Sequence, residues 1–217
     1  MHIYGPKGIK EAITLLLKLA KSWTNYPLHF HELTEKSSVC LLAEDEIEVY
    51  TIPLKHRIYT NGFLFRETPK VRKINAEAVE QHQIDQSQIQ NLKGGKDLVY
   101  SQGNTIANQE LTHDPRPPKS YAFCSDTAYH PEMVDQIQRV NVLCHEATFL
   151  NDHLELAQKT FHSTAQQAAQ IAKDAHVKHL ILGHYSSRYK DLTQFQSEAA
   201  EIFPHVDLAF DGYSLEF

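Results

Sequence analysis

Five short polar clusters carry the residue types of hydrolytic chemistry, and each lies beside an apolar run. They are Pro53-Leu54-Lys55-His56-Arg57, Cys124-Ser125-Asp126-Thr127, His145-Glu146-Ala147-Thr148, His162-Ser163-Thr164 and Gly183-His184-Tyr185-Ser186-Ser187-Arg188-Tyr189. Imidazoles and a carboxylate brought to one point can hold divalent cations, and a further histidine and glutamate beside them can move protons at neutral pH. Taken singly, each cluster has a plain structural reading. Asp126 before Thr127 suits a turn, Ser163 and Thr164 suit a helix cap, and a lone histidine is more often core or surface than ligand. The signal is the ordered set His56, Asp126, His145, His162 and His184. The other ten of the fourteen histidines have no supporting neighbours and read as structural.

Positioning these clusters requires a frame of strands and helices. His2–Pro6 reads as a strand ending in a turn, and Ile9 to Ala20 as an amphipathic core helix with Ile9, Ala12, Ile13, Leu16, Leu17 and Ala20 on one face. Further strands are expected at Leu28–Leu33, Val39–Leu42, Glu46–Ile52, Gly62–Phe65, Tyr121–Cys124, Val140–Cys144, His179–Leu182 and Val206–Phe210. A helix capped by Ser163 or Thr164 carries Ala165, Ala168, Ala169, Ala172 and Ala175 on one side, and another spans Phe195–Phe203. Alternating strands and helices make an α/β protein, and three of the clusters follow strands, where α/β sheets form their binding crevices.

Residues 68–118 break this pattern. They are rich in glutamine, contain Leu92-Lys93-Gly94-Gly95-Lys96 and close on Pro115-Arg116-Pro117-Pro118. The segment is too polar for the main core and reads as an excursion from the domain, a loop or small protruding module, with a short helix at Ala76–Gln81.

The chain has 217 residues, enough for a sizeable core. With 8 glycines, 9 prolines and 41% hydrophobic residues, it is neither collagenous nor disordered. Net charge is -6, which argues against a uniformly basic nucleic-acid coat but allows a local patch. Such a patch exists: Lys55, Arg57, Arg66, Lys70, Arg72 and Lys73 face only Glu67 in that stretch. Cys40, Cys124 and Cys144 form no CxxC pair, so a reducing cytoplasm is expected. No apolar run reaches the roughly 20 residues of a membrane helix.

The ordered set resembles ribonuclease Z, the tRNA 3′-processing endoribonuclease of the metallo-β-lactamase superfamily. Ile3-Tyr4-Gly5-Pro6-Lys7-Gly8 is similar to a strand-turn of that fold. His56 followed by Gly62-Phe63 is similar to its third metal motif, Ser125-Asp126-Thr127 to its bridging-aspartate motif, and Gly183-His184 through Tyr189 to its last ligand motif. Order and spacing agree, with Asp126 70 residues after His56 and His184 58 after Asp126. The signature His-x-His-x-Asp-His is absent, so the chain resembles the C-terminal portion of the family. Pro69, Lys70, Arg72 and Asn75 keep the order but not the spacing of the family's Pro-x-Lys-x-Arg-Asn loop.

The resemblance implies a metallo-β-lactamase αββα sandwich over residues 1–217, N-terminally incomplete, with 68–118 as an inserted tRNA-binding arm. It implies two zinc ions in the complete site, with His56, Asp126 and His184 as ligands. It gives His162, His145 and Glu146 catalytic roles, and Lys70, Arg72, Lys93, Gly94, Gly95, Ser163, Thr164 and Arg188 substrate contacts. The implied partners are precursor tRNA and a second copy of the chain, without a membrane. Two protein ligands per zinc are fewer than a zinc site usually has, so this chain by itself is expected to bind zinc weakly and to have little or no nuclease activity. An N-terminally incomplete sandwich also exposes apolar surface and a strand edge, so poor solubility or irregular dimerisation is expected. The alternatives are another phosphodiesterase of the same fold, or a non-catalytic RNA-binding remnant.

Overall fold

The computed structural model describes residues 1–44, 46–100 and 103–217, which form two compact units, 1–66 with 120–217 and 67–119.

In the larger unit, β1 (His2–Pro6), α1 (Ile9–Leu19), β2 (His29–Leu33), β3 (Cys40–Ala43), β4 (Ile47–Pro53) and β5 (Asn61–Glu67) come first. The smaller unit holds β6 (Lys73–Ile74), α2 (Ala76–Gln81), α3 (Ile89–Lys93), β7 (Leu98–Val99), β8 (Thr105–Ile106), α4 (Asn108–Leu111) and β9 (Thr112–His113). Then β10 (Ser120–Cys124), β11 (Val142–Glu146), α5 (Leu154–Thr160), α6 (Ala165–Asp174), β12 (His179–Gly183), α7 (Thr193–Ala200) and β13 (Val206–Leu208) complete the larger unit.

Seven strands form one sheet in the order β13-β12-β11-β10-β5-β4-β3. The run β10 to β13 is parallel, and β5 joins β10 antiparallel. Side chains alternate across a strand, so Leu64, Ala122, Leu143, Leu180 and Leu182 enter the core on one face, with α6 and α7. The capping box of Thr164 and Gln167 starts α6, whose buried alanines let it lie close on the sheet. Gly62 is required where β5 meets β10: a Cβ there would stand 2.4 Å from the Phe123 carbonyl oxygen. Phe63, Phe65, Tyr121 and Phe123 point to the opposite face and stay partly exposed.

Three expectations need correction. First, α1 has no buried residue: on the expected face Ile9, Ile13 and Leu17 are half-buried while Ala12, Leu16 and Ala20 are exposed, and Leu15 and Leu19, off that face, are exposed too. Its stripe is apolar as expected, but a stripe is buried only by a facing layer, and here it flanks a sheet of two strands, β1 and β2. Second, β11 runs from Val142 to Glu146 instead of Val140 to Cys144, so His145 and Glu146 belong to the strand and not to the loop after it. Third, 67–119 is not merely polar excursion. Ala78, Leu92, Leu98 and Leu111 form its own small core, organised by buried Asn108, whose side-chain amide donates to the Leu92 and Lys96 carbonyls.

Candidate active site

Loops at the ends of β4, β10, β11 and β12, with the turn before α6, bring His56, Asp126, Glu146, His162 and His184 together. Asp126 (φ 59°) and His184 (φ 61°) each adopt the left-handed conformation just past a strand. Outside glycine this costs of order 1 kcal/mol or more and concentrates at functional sites. The bend turns the two side chains toward each other, with His184 Nε2 3.1 Å from Asp126 Oδ1.

Hydrogen bonds set the imidazole tautomers. Thr148 has one hydroxyl proton and donates it to Glu146 Oε2 at 2.6 Å. The 2.8 Å contact between Thr148 Oγ1 and His184 Nδ1 therefore needs the histidine as donor. In neutral His184 the lone pair is then on Nε2, facing a carboxylate oxygen. Two acceptors this close repel unless a cation or a proton sits between them. His56 Nδ1 likewise meets the Phe161 carbonyl at 3.0 Å, where only the ring can donate, which leaves its lone pair on Nε2. His162 Nδ1 donates to Glu146 Oε1 at 2.7 Å. Anchoring one ring nitrogen so that the other is offered is how proteins prepare histidines for metals and proton transfer.

Glu146 organises the centre. Its side chain is fully buried, and its oxygens also accept from the Thr127, Thr148 and Ser163 backbone N–H groups at 2.8, 3.2 and 3.2 Å. Burial pushes this carboxyl up, but the bonds from His162 and Thr148 outweigh it and hold it below the ordinary range. The same bond to Glu146 raises His162 above its ordinary value, against partial burial. The His162 ring lies 5.2 Å from that of His184 and 5.3 Å from that of His56, centre to centre. Ligand atoms of Asp126, Glu146, His162 and His184 all fall within 4.8 Å of one another.

The donor set fits a divalent cation. Asp126 and His184 offer a carboxylate and an imidazole lone pair at one point, while His56, its ring 5.3 Å from that of His162, is not among the residues whose ligand atoms lie within 4.8 Å of one another. Glu146, with five donors already on it, is an organising group and not a ligand.

Several expected site residues lie elsewhere or are already engaged. His145 is buried in the core, its Nδ1 2.7 Å from the Glu146 carbonyl oxygen and its Nε2 unpartnered. The alternation of β11 turns it away from the cluster, so it cannot reach a substrate. Ser163 and Thr164 are fully buried: Ser163 Oγ donates to the Thr127 carbonyl at 2.7 Å, and Thr164 caps α6. Their hydroxyls hold the loop and do not face an anion. Arg188 lies over the Phe149 ring, 5.4 Å from its centre, and donates to Ser186.

Lys70, Arg72, Lys93, Gly94 and Gly95 belong to the 67–119 unit. Arg72 is tied to Thr112 and Asp114 within it. The Gly94 and Gly95 N–H groups donate to the Gln90 and Leu92 carbonyls and close α3, so they are not free for phosphate. Thr148 and the Phe161 carbonyl were not foreseen. Thr148 stood in a recognised cluster, but a backbone carbonyl leaves no trace in sequence.

A model of the β-lactamase superfamily domain matches residues 111–185. The ribonuclease Z of Bacteroides thetaiotaomicron is 41% identical over 209 residues, covering 96% of this chain and 66% of that one. That of Cytophaga hutchinsonii is 41% identical over 215 residues, covering 99% and 68%. The chain thus spans about two thirds of the length of these relatives. Among solved structures, human tRNase Z, short form, superposes with a TM-score of 0.61 at 20% identity over 96% of this chain and 64% of that one. The metallo-β-lactamase fold protein YhfI from Bacillus subtilis gives 0.61 at 15%, over 99% and 65%. Both show the fold.

Proposed function

The chain belongs to the ribonuclease Z family, whose class is the metal-dependent endoribonuclease, and on that premise we propose that it provides the phosphodiester-cleaving centre of an enzyme that removes the 3′ trailer of precursor tRNA. The observation that carries this reading is the pairing of the Asp126–His184 acceptors with a His162 held by buried Glu146, all within one cluster.

In the proposed mechanism, His56, Asp126 and His184 would hold zinc, two ions in the complete site. Zinc, when bound, supplies a nucleophile at neutral pH and charge stabilisation on the phosphate. His162 holds a proton on Nε2 when charged, and donates it to the 3′-oxygen that leaves. Glu146 fixes the ring and favours the charged form. Thr148 fixes the His184 tautomer, and the Phe161 carbonyl fixes that of His56. Arg188 is placed on the substrate side of Phe149. Residues 67–119, with Lys70 and Lys93 among their cations, grip the tRNA body. The enzyme acts as a homodimer in the cytoplasm. The three free cysteines support the reducing compartment; no helix among the described residues is long and apolar enough to cross a membrane.

Precursor tRNA with a 3′ trailer, incubated with the protein and zinc, tests the reading. Cleavage after the discriminator nucleotide that vanishes in both D126A and H162A supports it, and cleavage indifferent to both overturns it. A second reading, RNA binding without turnover, is favoured by the ligand count, since His56, His184 and Asp126 are three groups that would have to serve two ions. Precursor binding unchanged in D126A, with no cleavage by the parent, selects it.

A further inference from the structure

A cavity of about 330 Å³ opens beside His162, on the surface formed by the loop after β4, the segment after Asp126 and the ends of α5 and α6. Its walls are Phe161 and Tyr129, its polar groups Lys55, Gln158 and Gln167, and His162 forms one side.

Three features give it the chemistry of a nucleotide site. Phe161 closes α5 in the left-handed conformation (φ 60°), which glycine occupies freely and phenylalanine does not. The Phe161 carbonyl serves His56, and the Phe161 ring meets the His56 ring edge-on, 6.4 Å between centres. The 37% exposed ring serves no core, yet stands at the cavity with Tyr129, and aromatic faces are what unstacked bases bind. Gln167 has its Oε1 committed to the Thr164 N–H at 3.0 Å, which fixes the amide and leaves two Nε2 donors for the edge of a base. Lys55 is pinned by its backbone, through Thr127 Oγ1 and the Ala128 N–H, and has no carboxylate within ion-pair distance among the described residues. Its ammonium is available for a phosphate.

We infer that this cavity is a nucleobase subsite, and that it takes the base of the nucleotide whose 3′-oxygen leaves. The side follows from His162. If it delivers the proton to that oxygen, the attached ribose lies against it and the base falls into the cavity. The inference rests on the nuclease reading above.

The test uses two isomeric minimal diesters, adenosine 3′-methylphosphate and adenosine 5′-methylphosphate, with the whole chain and ligand-observed NMR. The 3′ isomer places its base on the leaving-group side, the 5′ isomer on the other. The 3′ isomer is expected to bind roughly tenfold more tightly, the scale of one stacked base, and Phe161→Gly should abolish the difference. Glycine suits the left-handed position, so this variant keeps the fold, and an unshifted or raised melting temperature verifies that. Equal binding of the isomers, a preference that survives Phe161→Gly, or a preference for the 5′ isomer overturns the subsite alone. Failure of both diesters to bind overturns the nuclease reading and the subsite with it.

Discussion

Glu146 Oε1 and His162 Nδ1 stand 2.7 Å apart, joining a fully buried carboxylate to a ring that is 17% exposed. One residue comes from the end of β11 and the other from the turn before α6, so the bond ties sheet to helix and also orients a proton donor.

That bond gives a pH signature. Glu146 is held below its ordinary value, so its contribution to stability is complete above about pH 4.3 and is lost as pH falls through its lower folded value. His162 is raised, chiefly by Glu146, so its contribution is complete below about pH 6.5 and is lost as pH rises through its higher folded value. The pair is strongest between those limits. Denaturant unfolding of protein kept in EDTA should show a stability maximum there that Glu146→Gln flattens from both sides. A variant with the parent's pH profile would contradict the pairing.

Zinc should be held weakly. After dialysis, elemental analysis is expected to find less than one zinc per chain, and calorimetry to find weak binding that Asp126→Ala or His184→Ala removes. Two tightly held ions per chain would show that the ligand count is wrong.

The close approach at Gly62 predicts a large effect from a small change. Gly62→Ala should destabilise the larger unit by about 2 kcal/mol or more, because a methyl 2.4 Å from the Phe123 carbonyl must push β5 from β10. Chemical denaturation measures it, and a shift under about 0.5 kcal/mol would mean that the strands part without cost.

Lys93 and Lys96 flank the turn that closes α3. If 67–119 grips tRNA through them, Lys93→Ala with Lys96→Ala should weaken precursor binding and lower the slope of log affinity against log salt by roughly 2. Filter binding across a salt series reads both, and an unchanged slope would remove these lysines from the interface.

The exposed leucines of α1 predict self-association. Leu15, Leu16 and Leu19 are 55%, 66% and 71% exposed, and changing all three to Gln should shift the elution of the chain toward monomer in size-exclusion chromatography. A parent that already elutes as a soluble monomer would contradict the expectation.

Much of this was legible in the sequence. Short apolar runs marked most of the strands, and alternation marked the one at Glu46–Ile52, because alternation follows from the pleat whatever the strand packs against. The Thr164 cap and the alanine stripe marked α6, because capping and periodicity act within a few residues. The order of Asp126, His162 and His184 marked residues that the fold brings together. The roles of neighbours within a cluster were not legible. His145 and Glu146 are adjacent, yet one enters the core and the other receives His162, and only the true end of β11 decides which. Ser163, Gly94 and Gly95 have the groups that bind phosphate, but nearby backbone atoms already occupy them. Residue type and spacing are local properties that the sequence determines by itself. Which donor meets which acceptor depends on strands and turns far apart in the chain, and the tertiary structure decided it, because a hydrogen bond or a ligand bond forms only between atoms brought within about 3 Å.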